Sequence, residues 1–221
     1  MHGLGDMETY AYGLWPAALV SIGIFVFFVL SYLKPKKRWE WQSMGTYSAF
    51  VVALFTEMYG FPLTIYILTS VLGSKYPVLN PFSHINGHLW VTLAGGSTLV
   101  WGIVMLVSNV AMFGGLFIMG KAWKQIHRAN GELITTGLYR WVRHPQYSAL
   151  FLITVGMLIQ WPTLVTAAMW PVLMFMYYRL ARREEKEMEE RFGDKYTSYK
   201  RRVPMFWPRL GATSPVTSLE I

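Results

Sequence analysis

Apolar residues in this chain fall in long runs separated by short charged segments. From Leu14 to Leu33 there is no charged residue, and about twenty apolar residues suffice to cross a bilayer as a helix. A second run, Gly45 to Leu72, contains one carboxylate, Glu57, and a Gly60-Phe61-Pro62 break where a kink is expected. A third run spans Leu93 to Met119. Two shorter ones, Ser148–Ile159 and Thr163–Tyr178, meet at Gln160-Trp161-Pro162 and read as a tight helical hairpin. The pattern predicts an all-α, polytopic membrane bundle of about five transmembrane helices. Residues 1–120 read as the N-terminal membrane helices, 121–210 as a distinct region containing the hairpin, and 211–221 as a disordered tail.

Composition supports a membrane protein. The chain is 53% hydrophobic and 14% charged, against about a quarter charged in soluble domains. It holds no cysteine, which excludes disulfides, thiolate nucleophiles and cysteine-ligated metals. The net charge of +8 does not point to nucleic acid, because the basic residues sit beside apolar spans, where they suit anionic headgroups. Asp6 and Glu8 precede the first run, so it reads as a retained span and not a cleavable signal. Lysines and arginines follow the first run (KPKKR, Lys34 to Arg38), the third and the last, whereas the loop after the second has only Lys75. This bias predicts an outside N-terminus and a cytosolic C-terminus. The segment Lys121–Arg143, the turn RHPQY (Arg143–Tyr147) and the charged helix from Arg179 are then gathered on the cytosolic face.

Several residues there are candidates for chemistry. Glu184 is spaced with Leu180, Met188 and Phe192, which puts one carboxylate in an apolar stripe, while Glu185, Glu189 and Glu190 fall largely off it. An inward carboxylate needs a cation or donors; it is either a structural salt bridge, to Arg143 or Arg140, or part of a site. His144 precedes a proline, so it is expected in an extended turn, where it serves the turn or a ligand. Glu57, inside an apolar span, is either bonded beside the Gly60–Pro62 break or functional. His84 and His88 share a helical face, but no third ligand stands near them, so no metal site is assigned.

The run GELITTGLYRWVRHPQY, the hairpin, REE at 183–185, FGDKYTSYKRRVP and a closing WP together resemble the C-terminal half of the isoprenylcysteine carboxyl methyltransferase family, which is related to the phospholipid N-methyltransferases. The resemblance covers roughly Gln125 to Pro208. It implies a helical membrane protein with a cytosol-facing pocket for S-adenosylmethionine. It places cofactor contacts at Gln125, at Gly131, Glu132, Leu133 and Ile134, at Tyr139, at His144, Pro145, Gln146 and Tyr147, and at Glu184. The family enzyme that methylates prenylcysteine carries a substrate-binding arginine four residues before its glutamate. Here that position is Leu180, between Arg179 and Arg183. The expected acceptor is therefore a small molecule or lipid. No catalytic residue is assigned, and Arg183 and Glu57 are the candidates.

Two other functions compete. An NADPH-dependent, sterol-reductase-like oxidoreductase has similar C-terminal helices, but those proteins typically carry Asn where this chain has Gln146. A non-enzymatic membrane scaffold or transporter leaves an inward Glu184 unexplained.

Overall fold

The computed structural model describes residues 12–33, 37–72 and 84–209. Asp6, Glu8, residues 34–36 of KPKKR, most of the loop with Lys75 and the tail from Gly211 lie outside the described residues, as does the His84 side chain. Every regular element among the described residues is helical. These are α1 (Trp15–Leu33), α2 (Arg38–Phe55), α3 (Leu63–Leu72), α4 (Leu89–Leu93), α5 (Thr98–Arg128), α6 (Pro145–Gln160), α7 (Leu164–Phe192) and α8 (Asp194–Arg202).

The apolar runs correspond to α1, the α2–α3 pair, α5, α6 and α7. Of these, α5 and α7 are long and apolar enough to cross a membrane, and α2 with α3 makes a third candidate if the pair is one span bent by 69°. By the same measure α1 and α6 are apolar but shorter. Many large apolar side chains of α1 and α5 face outward, among them Phe27, Leu106, Phe113 and Phe117, an exterior suited to lipid. Helix α5 runs past the end of the apolar run to Arg128, so the basic segment begins as helix. Likewise α7 continues from apolar sequence into the charged REE stretch without interruption.

The chain divides into two compact units, residues 1–110 with 155–174, and residues 111–154 with 175–221. In the first, the expected kink lies at Phe61–Pro62, just after α2 widens into a π-helical turn at Thr56–Gly60. Pro62 has no N–H to continue the ladder, so the chain must restart. Glu57 bridges the gap: its Oε2 accepts from the Thr64 backbone N–H at 2.8 Å, at the start of α3. Thr64 Oγ1 in turn accepts from Leu164 N at 2.8 Å, at the start of α7. At the hairpin tip His88 Nδ1 lies 2.9 Å from the Gln160 carbonyl, and its ring meets Trp161 edge-on.

In the second unit, Tyr196 and Tyr199 of α8, with Val203 just after it, pack against Leu133, Met188 and Phe192. This small core holds the loop after α5 against the charged half of α7.

Candidate functional site

The turn before α6 is built as its sequence predicts. His144 is non-helical, and Pro145 opens α6 at the first helical position, where a missing N–H costs nothing. The turn is then held by the C-terminal strap. Arg143 N and His144 N donate to the carbonyls of Pro204 and Met205 at 2.9 and 3.0 Å, and Ser148 Oγ donates to Phe206 O at 2.6 Å. Arg143 closes the arrangement from its side chain. Nη1 donates to the carbonyls of Lys200 and Val203 at 2.7 and 2.6 Å, while Nε and Nη2 both reach Glu185 Oε1 at 2.8 Å.

The loop after α5 is braced differently. Gln125 Nε2 donates to Thr136 O, and Gln125 Oε1 accepts from Leu138 N, both at 3.1 Å. Gly137 sits between them at φ +62, and a Cβ there would fall 1.9 Å from Gln125 Nε2. Glycine is needed for both reasons. The short 3-10 turn Gly137–Arg140 that follows buries Tyr139, whose carbonyl accepts from Tyr199 OH at 2.5 Å.

These elements enclose a cavity of about 290 Å³. Of the positions that the resemblance assigns, Gly131, Glu132, Leu133 and Ile134 line it from the loop, and Tyr139, His144 and Gln146 from the turn region. Glu184 lines it from α7. Gln125, Pro145 and Tyr147 are not lining residues. Gln125 braces the loop, Pro145 starts the helix, and the buried Tyr147 donates its hydroxyl to Glu184. The structure adds wall residues that sequence reasoning did not assign: Arg143, Glu187, Met188, Arg191, Tyr196 and Tyr199. Met188 had a signal in the apolar stripe, and Tyr196 and Tyr199 had one in their spacing on an otherwise polar helix. Of the catalytic candidates, Arg183 is exposed and lines no part of the cavity. Glu57 belongs to the first unit, where it caps α3.

The pairing expected for Glu184 is corrected. The carboxylate that pairs with Arg143 is Glu185, with 1% of its side chain exposed, against 33% for Glu184. The inward stripe of α7 is wide enough to include two rows, the one through Leu180 and Glu184 and the one through Tyr177, Ala181 and Glu185. The second row is the deeper, because Arg143 and Lys200 approach it: Lys200 Nζ lies 3.1 Å from Glu185 Oε2.

His144 lies between the two carboxylates. Its Nδ1 is 3.4 Å from Glu184 Oε2 and its Nε2 is 3.4 Å from Glu185 Oε1. Burial works against a charged ring, but the two carboxylates outweigh it and raise the pKa above the ordinary histidine value. Tyr139 is pushed far up, first by burial and then by the Glu184 charge, so its phenol stays protonated. The cavity thus presents a partly exposed carboxylate, a protonated phenol, apolar walls and cations at its edges. This suits a ligand with a positive centre, polar edges and an aromatic or apolar part.

Residues 98–190 match the model of the isoprenylcysteine carboxyl methyltransferase (ICMT) family. The chain is 27% identical to a protein-S-isoprenylcysteine O-methyltransferase of Rattus norvegicus over 54% of its own length and 42% of that relative. It is 32% identical to the Homo sapiens enzyme of the same name, again over 54% of this chain and 42% of the relative. It is also 32% identical to a nickel-cobalt-cadmium resistance protein, NccN, of Alcaligenes xylosoxydans xylosoxydans, over 42% of this chain and 45% of that one. The chain spans somewhat less than half the length of these relatives. No solved structure matches it. Residues 98–190 are thus similar to that family, the apolar helices support a membrane protein, and the cavity residues Arg191, Tyr196 and Tyr199 lie just beyond the matched segment.

Proposed function

We propose that this chain is an integral membrane methyltransferase that uses S-adenosylmethionine and methylates a small or lipophilic acceptor. One observation carries the reading: the loop Gly131–Ile134, Tyr139, His144 and Glu184, well separated in sequence, converge on one cavity in the second unit. The residues present fit the cofactor. Glu184 is an anionic acceptor for its ammonium or ribose hydroxyls, and Tyr139 offers an aromatic face to a cation. Leu133, Ile134 and Met188 suit the adenine, and Arg191 suits the carboxylate. Bound there, the cofactor supplies an electrophilic methyl group. The chain's own residues bind, orient and exclude water, which is most of what an in-line methyl transfer needs. Tyr147 and His144 keep the Glu184 carboxylate in one place for that task.

The acceptor class rests on two supports. The relatives named for isoprenylcysteine O-methylation favour a lipophilic acceptor. Leu180 stands where the family's substrate-binding arginine is expected, and it is buried, which favours a small or lipidic acceptor over a prenylated peptide. The charge bias further supports an outside N-terminus, a cytosolic C-terminus and a cytosol-facing pocket. Reporter fusions at the two ends test that orientation, and both ends on one side would overturn it.

The purified chain should bind S-adenosylmethionine by calorimetry and transfer a labelled methyl group to a component of total membrane extract. Binding of NADPH with no response to S-adenosylmethionine would replace this reading with the oxidoreductase one. Efficient methylation of a farnesylcysteine analogue would overturn the preference against a prenylated substrate, and would leave the methyltransferase reading and a lipophilic acceptor in place.

A further inference from the structure

Glu185 has no role in the reading above, yet it is a charged side chain sealed from solvent, and it does not line the cavity. Its Oε1 takes two guanidinium nitrogens of Arg143 and lies 3.4 Å from His144 Nε2. Its Oε2 lies 3.1 Å from Lys200 Nζ and 3.6 Å from Arg182 Nη1. The turn before α6, α7 itself and α8 thus all send a cationic or titratable group to one carboxylate. The far edge of the same imidazole faces Glu184, which does line the cavity. His144 is therefore a bridge between a carboxylate behind the wall and a carboxylate in it.

We propose that Glu185 is a positioning residue of the cofactor site: from behind the cavity wall it fixes Arg143 and His144, and so sets the charge that Glu184 presents to the cofactor. The proposal rests on the cofactor reading given above. A structural ion pair with Arg143 alone would not need the imidazole. With Nε2 turned to Glu185, Nδ1 is the nitrogen left to face Glu184. A ring with both protons offsets part of the Glu184 charge, and a ring with one proton leaves that charge to the cavity.

The other groups around His144 are few. Arg143 precedes it, and Tyr147 on α6 lies against its ring at 5.7 Å between centroids. Tyr139 senses Glu184, while Tyr196 and Lys200 on α8 act on Glu185. The Phe206 ring lies 6.0 Å from the imidazole and brings no charge. The two carboxylates are thus the groups that hold the proton on His144. A cationic ligand competes with the charged ring for Glu184. Affinity for S-adenosylmethionine should accordingly rise as pH rises through the His144 titration.

The test uses the full chain in detergent or nanodiscs. First, His144 is titrated by its ring proton resonance without cofactor, identified by its loss in His144→Gln. In Glu185→Gln the midpoint should fall by roughly one pH unit or more, the usual effect of removing a close opposite charge. Second, S-adenosylmethionine affinity is measured by calorimetry across pH. The rise in affinity should move to lower pH by the same interval. The cofactor's own groups titrate alike for both proteins, so the difference reports on the pocket. Glu189→Gln, whose carboxylate meets Lys200 at 2.7 Å and is 40% exposed, should leave both profiles in place. Where Glu185→Gln does not fold, Glu185→Asp carries the test: it keeps the charge, withdraws it by one methylene, and should move both profiles the same way by less. An unmoved His144 midpoint in a folded Glu185 variant overturns the proposal. So does a moved midpoint with an unmoved affinity profile. Failure of the parent chain to bind S-adenosylmethionine at any pH removes the cofactor reading instead, and the cofactor-free titration still decides whether Glu185 sets the charge on His144.

Discussion

Arg143 meets Glu185 through two nitrogens on a single oxygen: Nε and Nη2 each lie 2.8 Å from Oε1. The remaining nitrogen, Nη1, takes the carbonyls of Lys200 and Val203. One guanidinium therefore ties the turn before α6 to α7 and to the end of α8.

Arg143→Ala should destabilise the protein by about 3–5 kcal/mol, because it leaves a buried carboxylate short of its nearest cation. Arg143→Lys should cost less, since it keeps the charge but not the planar fork. Thermal melts of the purified variants check the order. An alanine variant that melts with the parent would show the pair to be dispensable.

Glu184→Gln should weaken S-adenosylmethionine binding by roughly ten- to a hundredfold, the loss of a charge-assisted hydrogen bond of about 1.5–3 kcal/mol. Glu190→Gln should change little. Its carboxylate is 68% exposed, and its partner Lys186 lies 3.9 Å away on the same helix. Calorimetry on both variants, with melts of each, separates a binding role from a bracing one. Unchanged affinity in a folded Glu184→Gln protein would remove the residue from the site.

The raised pKa of His144 makes its contribution to stability one of low pH. The charged ring stabilises the fold fully below its unfolded value, about 6.5, and that contribution is lost as pH rises through the folded value. The gap in melting temperature between the parent and His144→Gln should be widest in mildly acidic buffer and narrow toward alkaline pH. Melts across that range measure it, and a gap that widens with pH would contradict the pairing.

Glu57→Ala should lower stability by about 1–2 kcal/mol, as expected for a lost helix cap, because Thr64 N loses its acceptor at the start of α3. Cofactor affinity of the folded variant should stay as it was. Lost methyl transfer at an unchanged melting temperature would instead make Glu57 a catalytic residue.

Gly137→Ala should both strain the backbone and push Gln125 off Thr136 and Leu138. The left-handed conformation alone costs about 1–2 kcal/mol for alanine. The loop that carries Gly131 to Ile134 would lose its brace, so cofactor affinity should fall further than the melt suggests. Gln125→Ala should reproduce the affinity loss without the backbone strain.

The sequence by itself determined where the apolar stretches of the helices lie, where the α2–α3 pair breaks and where α6 begins. These depend on local causes: uninterrupted apolar runs that must satisfy their own backbone, and prolines at 62 and 145 that lack an N–H. About half of the residues that line the cavity are positions named by the resemblance over residues 125–208. Only the tertiary structure decided which glutamate of REE is buried. Adjacent helix positions point about 100° apart, and an apolar stripe that wide accommodates either one. The choice went to Glu185 because Arg143, 42 positions earlier, and Lys200, on the next helix, arrive on that side. The same holds for Tyr196 and Tyr199. Their place in the wall depends on how α8 folds back onto the loop after α5, which no local periodicity specifies.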